Sequence, residues 1–155
     1  MKKKQKRTDI MKIVIAADHG GFELKNSLCA YLEEKGHTVC NLGTNSPESV
    51  DYPDYAKLCC SELLKGDADF GILVCGTGVG ISIAANKIKG IRCALCPSKE
   101  IAALTKQHNN ANVIALGGRF TSFEDAKDIV DSYMNATFEG GRHQIRVDKI
   151  SSLED

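Results

Sequence analysis

Short apolar runs bounded by glycine, proline or polar residues alternate along this chain with longer stretches of helical spacing. The runs fall at 12–17, 37–42, 72–75, 91–96 and 113–116. The one around Ile72–Val74 is apolar without alternation, as in a strand buried on both faces. Helical spacing predicts helices over 22–35, 52–65, 81–87, 97–108 and 122–135, and a short polar helix over 142–153. The ends carry local signals. Gly36 closes the first helix, Tyr52-Pro53 opens the second, and Ser122 with Asp125 three residues on forms a capped start. Strands alternate with helices five times. That order calls for a parallel sheet joined by right-handed crossovers. The expected fold is a single-domain α/β three-layer sandwich, a five-stranded parallel sheet with helices on both faces, of Rossmann or flavodoxin type.

The central stretch, Phe70 to Lys87, reads as strand, glycine turn, helix, with Cys75 at the strand's last residue. Ligands of open parallel sheets bind beyond the carboxyl ends of the strands. A thiol there sits beside a helix N-terminus, whose N–H groups attract anions and lower a thiol pKa. Gly76, Gly78 and Gly80 spell G-x-G-x-G, which is neither a dinucleotide fingerprint nor a P-loop. The turn therefore speaks for close backbone approach to an anionic or oxyanionic ligand without naming it. An inert buried cysteine in a tight turn is the plainer alternative.

Composition narrows the class. A chain of 155 residues, 43% hydrophobic and 26% charged, is long enough for one well-packed soluble domain. The formal net charge is zero, so no overall field favours nucleic acid or an anionic membrane. No run approaches membrane-span length and no signal peptide is visible. Seven cysteines without a secretion signal favour reduced thiols and a cytoplasmic location. Cys93 and Cys96 spell C-x-x-C, but on a strand positions i and i+3 face opposite sides, which favours core packing over zinc or redox chemistry. Residues 1–10 are polar and basic and read as a disordered extension to a domain over 11–155. A nucleic-acid or targeting role is the sharper alternative for them.

Polar groups cluster around the strand ends. Asp18 and His19 follow the first strand, Cys75 and the glycine turn follow the third, and Arg119 follows the fifth. His108 and Asn109 precede the fifth strand, so their helix must end near the same edge if they are to join the others. Each has a plain reading: Asp18 as a helix cap, His19 as a solvated residue, His108 and Asn109 as a C-cap, Arg142 and Arg146 as surface charge at i and i+4. Together they supply a thiol base, an oxyanion-binding turn, a histidine acid–base group and an arginine pair for phosphate. His37, at the start of a strand, has no assigned role.

Several of these segments match one family in order. Ala17-Asp18-His19-Gly20-Gly21, Asp51-Tyr52-Pro53, Cys75 to Gly80 with Asn86-Lys87, Gln107-His108-Asn109 and Glu139-Gly140-Gly141-Arg142-His143-Gln144 with Arg146 resemble the type B ribose-5-phosphate isomerases, a group that includes galactose-6-phosphate isomerase subunits. The resemblance spans Met11 to about Ile150. It implies interconversion of D-ribose 5-phosphate and D-ribulose 5-phosphate through an enediolate, without metal or cofactor. It also implies Cys75 as the base between C1 and C2; the family's other branch uses a carboxylate elsewhere. The backbone N–H groups of Gly76, Gly78, Val79 and Gly80, with Asn109, would hold the enediolate. His108 matches the ring-opening residue, and Thr77 and Asp18 match groups that hold sugar hydroxyls. Tyr52 lines the sugar, and His19, Arg142, Arg146 and Arg119 match phosphate ligands. The resemblance further implies a homodimer or dimer of dimers with a shared site, acting on a phosphorylated sugar.

Two other functions fit the same residues. One is isomerisation of a hexose 6-phosphate such as allose or galactose 6-phosphate, which needs a longer pocket. The other is a non-catalytic sugar-phosphate sensor on the same fold. A sensor needs no base, so Cys75 together with His108 argues against it.

Overall fold

The computed structural model describes residues 9–154; most of the basic stretch expected to be disordered lies outside the described residues. Five strands, β1 (Lys12–Ala17), β2 (Thr38–Asn41), β3 (Phe70–Cys75), β4 (Cys93–Leu95) and β5 (Val113–Gly117), alternate with α1 (Phe22–Glu34), α2 (Tyr52–Leu64), α3 (Val79–Asn86), α4 (Lys99–Asn109) and α5 (Phe123–Asn135). A last helix, α6 (Arg142–Ser152), packs on α4. All strand pairs are parallel, in the order β2-β1-β3-β5-β4. Elements, layers and class agree with the reading from sequence. The order was not legible there: β5 inserts between β3 and β4 and leaves β4 as a three-residue edge strand.

Side-chain alternation divides the interior in two. Ile13, Ile15, Ile72, Val74, Ile114 and Leu116 face α1 and α5 through Leu24, Leu28, Leu32, Ile129, Val130 and Tyr133. Their alternates Val14, Ala16, Leu73, Cys75, Val113 and Ala115 face α2 and α3 through Ala56, Cys59, Cys60, Leu63, Ile81 and Ala85. Both faces of the three central strands are thus covered, which explains their continuous apolar runs. The C-x-x-C pair splits as its spacing requires. Cys96 joins the first cluster and Cys93 packs against the second. Burial pushes the thiols of Cys29, Cys60 and Cys96 up to about 11, and those of Cys59 and Cys93 higher still, so these five behave as small apolar side chains at neutral pH. His37 is structural too: its Nδ1 accepts the Met11 N–H at 3.0 Å.

Along the sheet, the connection from β1 leads outward to β2 on one side, while β3 lies on β1's other side. The chain direction reverses at this point, and the carboxyl ends of β1 and β3 open a crevice there. Asp18 and Cys75 are the residues at those two ends.

Candidate functional site

Three backbone turns meet at this edge. After β1, the Asp18 N–H donates to the Val74 carbonyl at 3.1 Å, and Asp18 Oδ1 accepts the Gly20 N–H at 2.8 Å. Asp18 is therefore not the helix cap; Gly21 holds that position. After β3, Cys75 Sγ accepts the Gly78 N–H at 3.2 Å, and Thr77 Oγ1 accepts the Val79 N–H at 3.2 Å. Gly78 takes φ +79°, and a Cβ there would lie 2.7 Å from Leu95 Cδ1 and 2.8 Å from the Leu116 carbonyl carbon, so only glycine fits. After β5, the Gly118 N–H donates to the Cys75 carbonyl at 2.8 Å and the Arg119 N–H to the Gly76 carbonyl at 3.0 Å. Among the described residues, the N–H groups of Gly76 and Gly80 have no acceptor. They stand beside the sulfur, at the positive end of α3.

The flanking side chains frame a cleft. The Arg119 guanidinium lies over Gly76, with Nη1 3.1 Å from where a Cβ would stand. The Tyr52 ring lies on Gly80, 2.7 Å from the corresponding point. His19 Nδ1 accepts the Val50 N–H at 3.2 Å, so the neutral ring carries its proton on Nε2 and presents a donor. A cleft of about 520 Å³ opens here, lined by Asp18, His19, Val50, Asp51, Tyr52 and Pro53 among others. The loop that forms its far wall is anchored from below by Lys25. This lysine is fully buried, and its Nζ donates to the side-chain oxygens of Asn26, Asn41 and Asn45, each at 2.7 Å.

Cys75 was expected at the sheet's rim, beside the N–H groups of a helix N-terminus. It does lie at the rim, next to the amides, but it is only 4% exposed, and the cleft is lined by its neighbours rather than by the sulfur. The side chain points toward α2 and α3, and the glycine turn folds over it.

One expectation needs correction: His108 and Asn109 do not gather with Cys75 within the chain, and Arg142 and Arg146 lie with them. The helix after a parallel strand runs back toward the strands' amino ends. The end of α4 accordingly lies beside the start of β5, where Asn112 accepts the Gly71 N–H and donates to Arg92. The C-cap is Asn110, in the left-handed region at φ 45°, rather than His108 or Asn109. Here His108 stacks on His143, with ring centroids 4.2 Å apart and planes 10° apart, and Glu139 Oε1 lies 3.5 Å from His108 Nε2. Arg142 and Arg146 are exposed one turn apart on α6 and pair with no carboxylate among the described residues. Glu139 and His143 had no assigned role in the sequence reading. The Gly-Gly-Arg-His run carried the only signal, and it does not show that His143 packs against His108.

The chain thus carries two half-sites on opposite edges of one sheet. One has a thiol, free amides, a carboxylate and a histidine. The other has a half-buried histidine, an asparagine and two arginines without an ion pair among the described residues. This is the equipment of an α/β enzyme that handles a small, oxygen-rich anion. A model of the family described as Ribose/Galactose Isomerase matches residues 13–150. The chain is 50% identical over 143 residues to ribose-5-phosphate isomerase B of Escherichia coli, covering 92% of this chain and 96% of that one. Among solved structures, a ribose 5-phosphate isomerase from Thermotoga maritima superposes with a TM-score of 0.90 at 52% identity, covering 92% of this chain and 98% of that one. The enzyme from Mycoplasma genitalium, solved with bound ribulose 5-phosphate, gives 0.88 at 47%, with coverage of 92% and 95%. This chain belongs to the ribose/galactose isomerase family.

Proposed function

We propose that this enzyme interconverts D-ribose 5-phosphate and D-ribulose 5-phosphate, with Cys75 as the base that carries a proton between C1 and C2. The single observation that carries the reading is the thiol at the end of β3, held against the Gly78 N–H with the Gly76 and Gly80 amides free beside it. Removing a proton next to a carbonyl is hard because negative charge builds on oxygen. Donors fixed where that charge develops are worth ~3–4 kcal/mol each. Thr77 and Asp18 hold sugar hydroxyls, and the Tyr52 ring borders the sugar. The relatives named ribose-5-phosphate isomerase B support the substrate, as does the ribulose 5-phosphate bound in the Mycoplasma genitalium enzyme.

The second half-site serves a neighbouring copy. His108 opens the furanose ring as acid–base group, Asn109 assists the enediolate, and Arg142 and Arg146 grip the phosphate with forked hydrogen bonds, alongside His19 and Arg119. Placed at the far edge of their own sheet, these groups reach a thiol only across an interface. The assembly is therefore a homodimer or a dimer of dimers, and the slight exposure of Cys75 fits a site that is complete only when two chains meet. A cytoplasmic setting suits its seven unpaired cysteines. Among the described residues no helix is long and apolar enough to cross a membrane.

The test is an aldose–ketose assay of the purified protein with ribose 5-phosphate, allose 6-phosphate and galactose 6-phosphate, each with and without a chelator. Turnover of ribose 5-phosphate well above that of the hexoses, unchanged by the chelator, is expected. Preference for a hexose phosphate would overturn the substrate, and no turnover of any of the three would overturn the isomerase reading.

A further inference from the structure

We propose that Glu139 and His143 are positioning residues for His108, fixing the plane and the aim of its imidazole for opening the sugar ring; this rests on the isomerase reading above. His108 stands at the end of α4 with its side chain 39% exposed. A histidine so placed would ordinarily sample several rotamers. Here it is held from two directions. Its face lies on the His143 ring, centroids 4.2 Å apart and planes 10° apart. Its Nε2 lies 3.5 Å from Glu139 Oε1, and the same oxygen is 3.6 Å from His143 Nε2. The backbone locks the arrangement: the Glu139 N–H donates at 3.0 Å to the carbonyl of Gln107, the residue before His108.

The charges make the two rings unequal. Two imidazolium rings at this distance repel, which disfavours charging the inner one. His143 is only 8% exposed. Its pKa lies below the ordinary value, first through desolvation, then through His108 on α4 and Arg142 and Arg146 on its own helix, with Glu139 opposing. His143 is thus a neutral, flat wall at neutral pH, and the outer ring is left to exchange protons with a sugar. One ligand atom from each of the three residues lies within 4.8 Å of the others, a grouping that also suggests a metal site. Stacked rings argue against it, since the nitrogen lone pairs lie in two separate parallel planes and do not converge on one ion.

The test uses the full chain with His143→Ala, His143→Phe and Glu139→Gln. For His143→Ala and Glu139→Gln, kcat on ribose 5-phosphate should fall about tenfold with KM nearly unchanged, as expected when a reacting group is mis-aimed. His143→Phe keeps a flat stacking surface and should recover most of the loss. Without substrate, proton NMR of the four histidines reads the geometry directly. The His108 ring line should move downfield in His143→Ala, where the stacked ring is gone, and stay upfield in His143→Phe. An unmoved His108 line in His143→Ala overturns the inference, as does a full kcat in both His143→Ala and Glu139→Gln. The NMR result does not depend on turnover. If the wild-type chain fails to isomerise ribose 5-phosphate, the functional reading falls while the stacking is still decided.

Discussion

Pairing a defect in one half-site with a defect in the other tests the shared site most directly. Cys75 ends β3, and His108 lies near the strand's opposite end. Six strand residues at about 3.3 Å each separate them by roughly 20 Å. Proton transfer needs contact at about 3 Å, so the two cannot serve one substrate within a chain. Cys75→Ala and His108→Asn should each lower activity by about 100-fold or more as homodimers. In a two-fold dimer, each site takes its thiol from one chain and its histidine from the other. A hybrid of one Cys75→Ala chain and one His108→Asn chain then has one doubly defective site and one intact site. The hybrid, isolated by carrying a different affinity tag on each chain, should regain roughly half of wild-type activity. The assay is ribose 5-phosphate turnover per dimer, measured for the hybrid and for both parents. A hybrid as inactive as its parents would refute the reasoning and confine the site to one chain.

Other consequences follow from single residues. Arg142→Ala, which removes an arginine with no ion pair among the described residues, should raise KM for ribose 5-phosphate about tenfold or more with a smaller effect on kcat; an unchanged KM removes it from the phosphate site. Gly78→Ala forces a side chain onto φ +79° and against Leu95 and Leu116, and should cost ~2–4 kcal/mol in urea denaturation, together with loss of activity as the turn beside the thiol shifts. His143 gives a pH signature. Its folded pKa is below the ordinary 6.5, so as pH falls through 6.5 the unfolded chain takes up a proton that the folded chain refuses. Its contribution to stability is therefore complete above 6.5 and declines below it, until the lowered folded value is reached. Urea titrations between about pH 8 and pH 5 should show this decline in the wild type and a shallower one in His143→Phe.

The apolar runs, the capping residues and the alternation of strand and helix were enough to fix the fold class, because each reports burial within a few residues of itself. They also placed Cys75, its glycine turn, Asp18 and Arg119 correctly, since a residue just past a parallel strand must lie at the carboxyl edge. The position of His108 and Asn109 was within reach of the same logic, because a residue just before a strand lies at the amino edge. Local spacing could not give the insertion of β5 between β3 and β4, the packing of His143 against His108, or the cover over the Cys75 sulfur. Each of those depends on which distant segments come together, and pairing energy between remote segments leaves no periodic mark in the chain. Residue order alone says which chemical groups this protein owns and which elements carry them. The strand order, the stacked imidazoles and the cover over the sulfur came only with the tertiary structure, because each joins segments far apart in the chain.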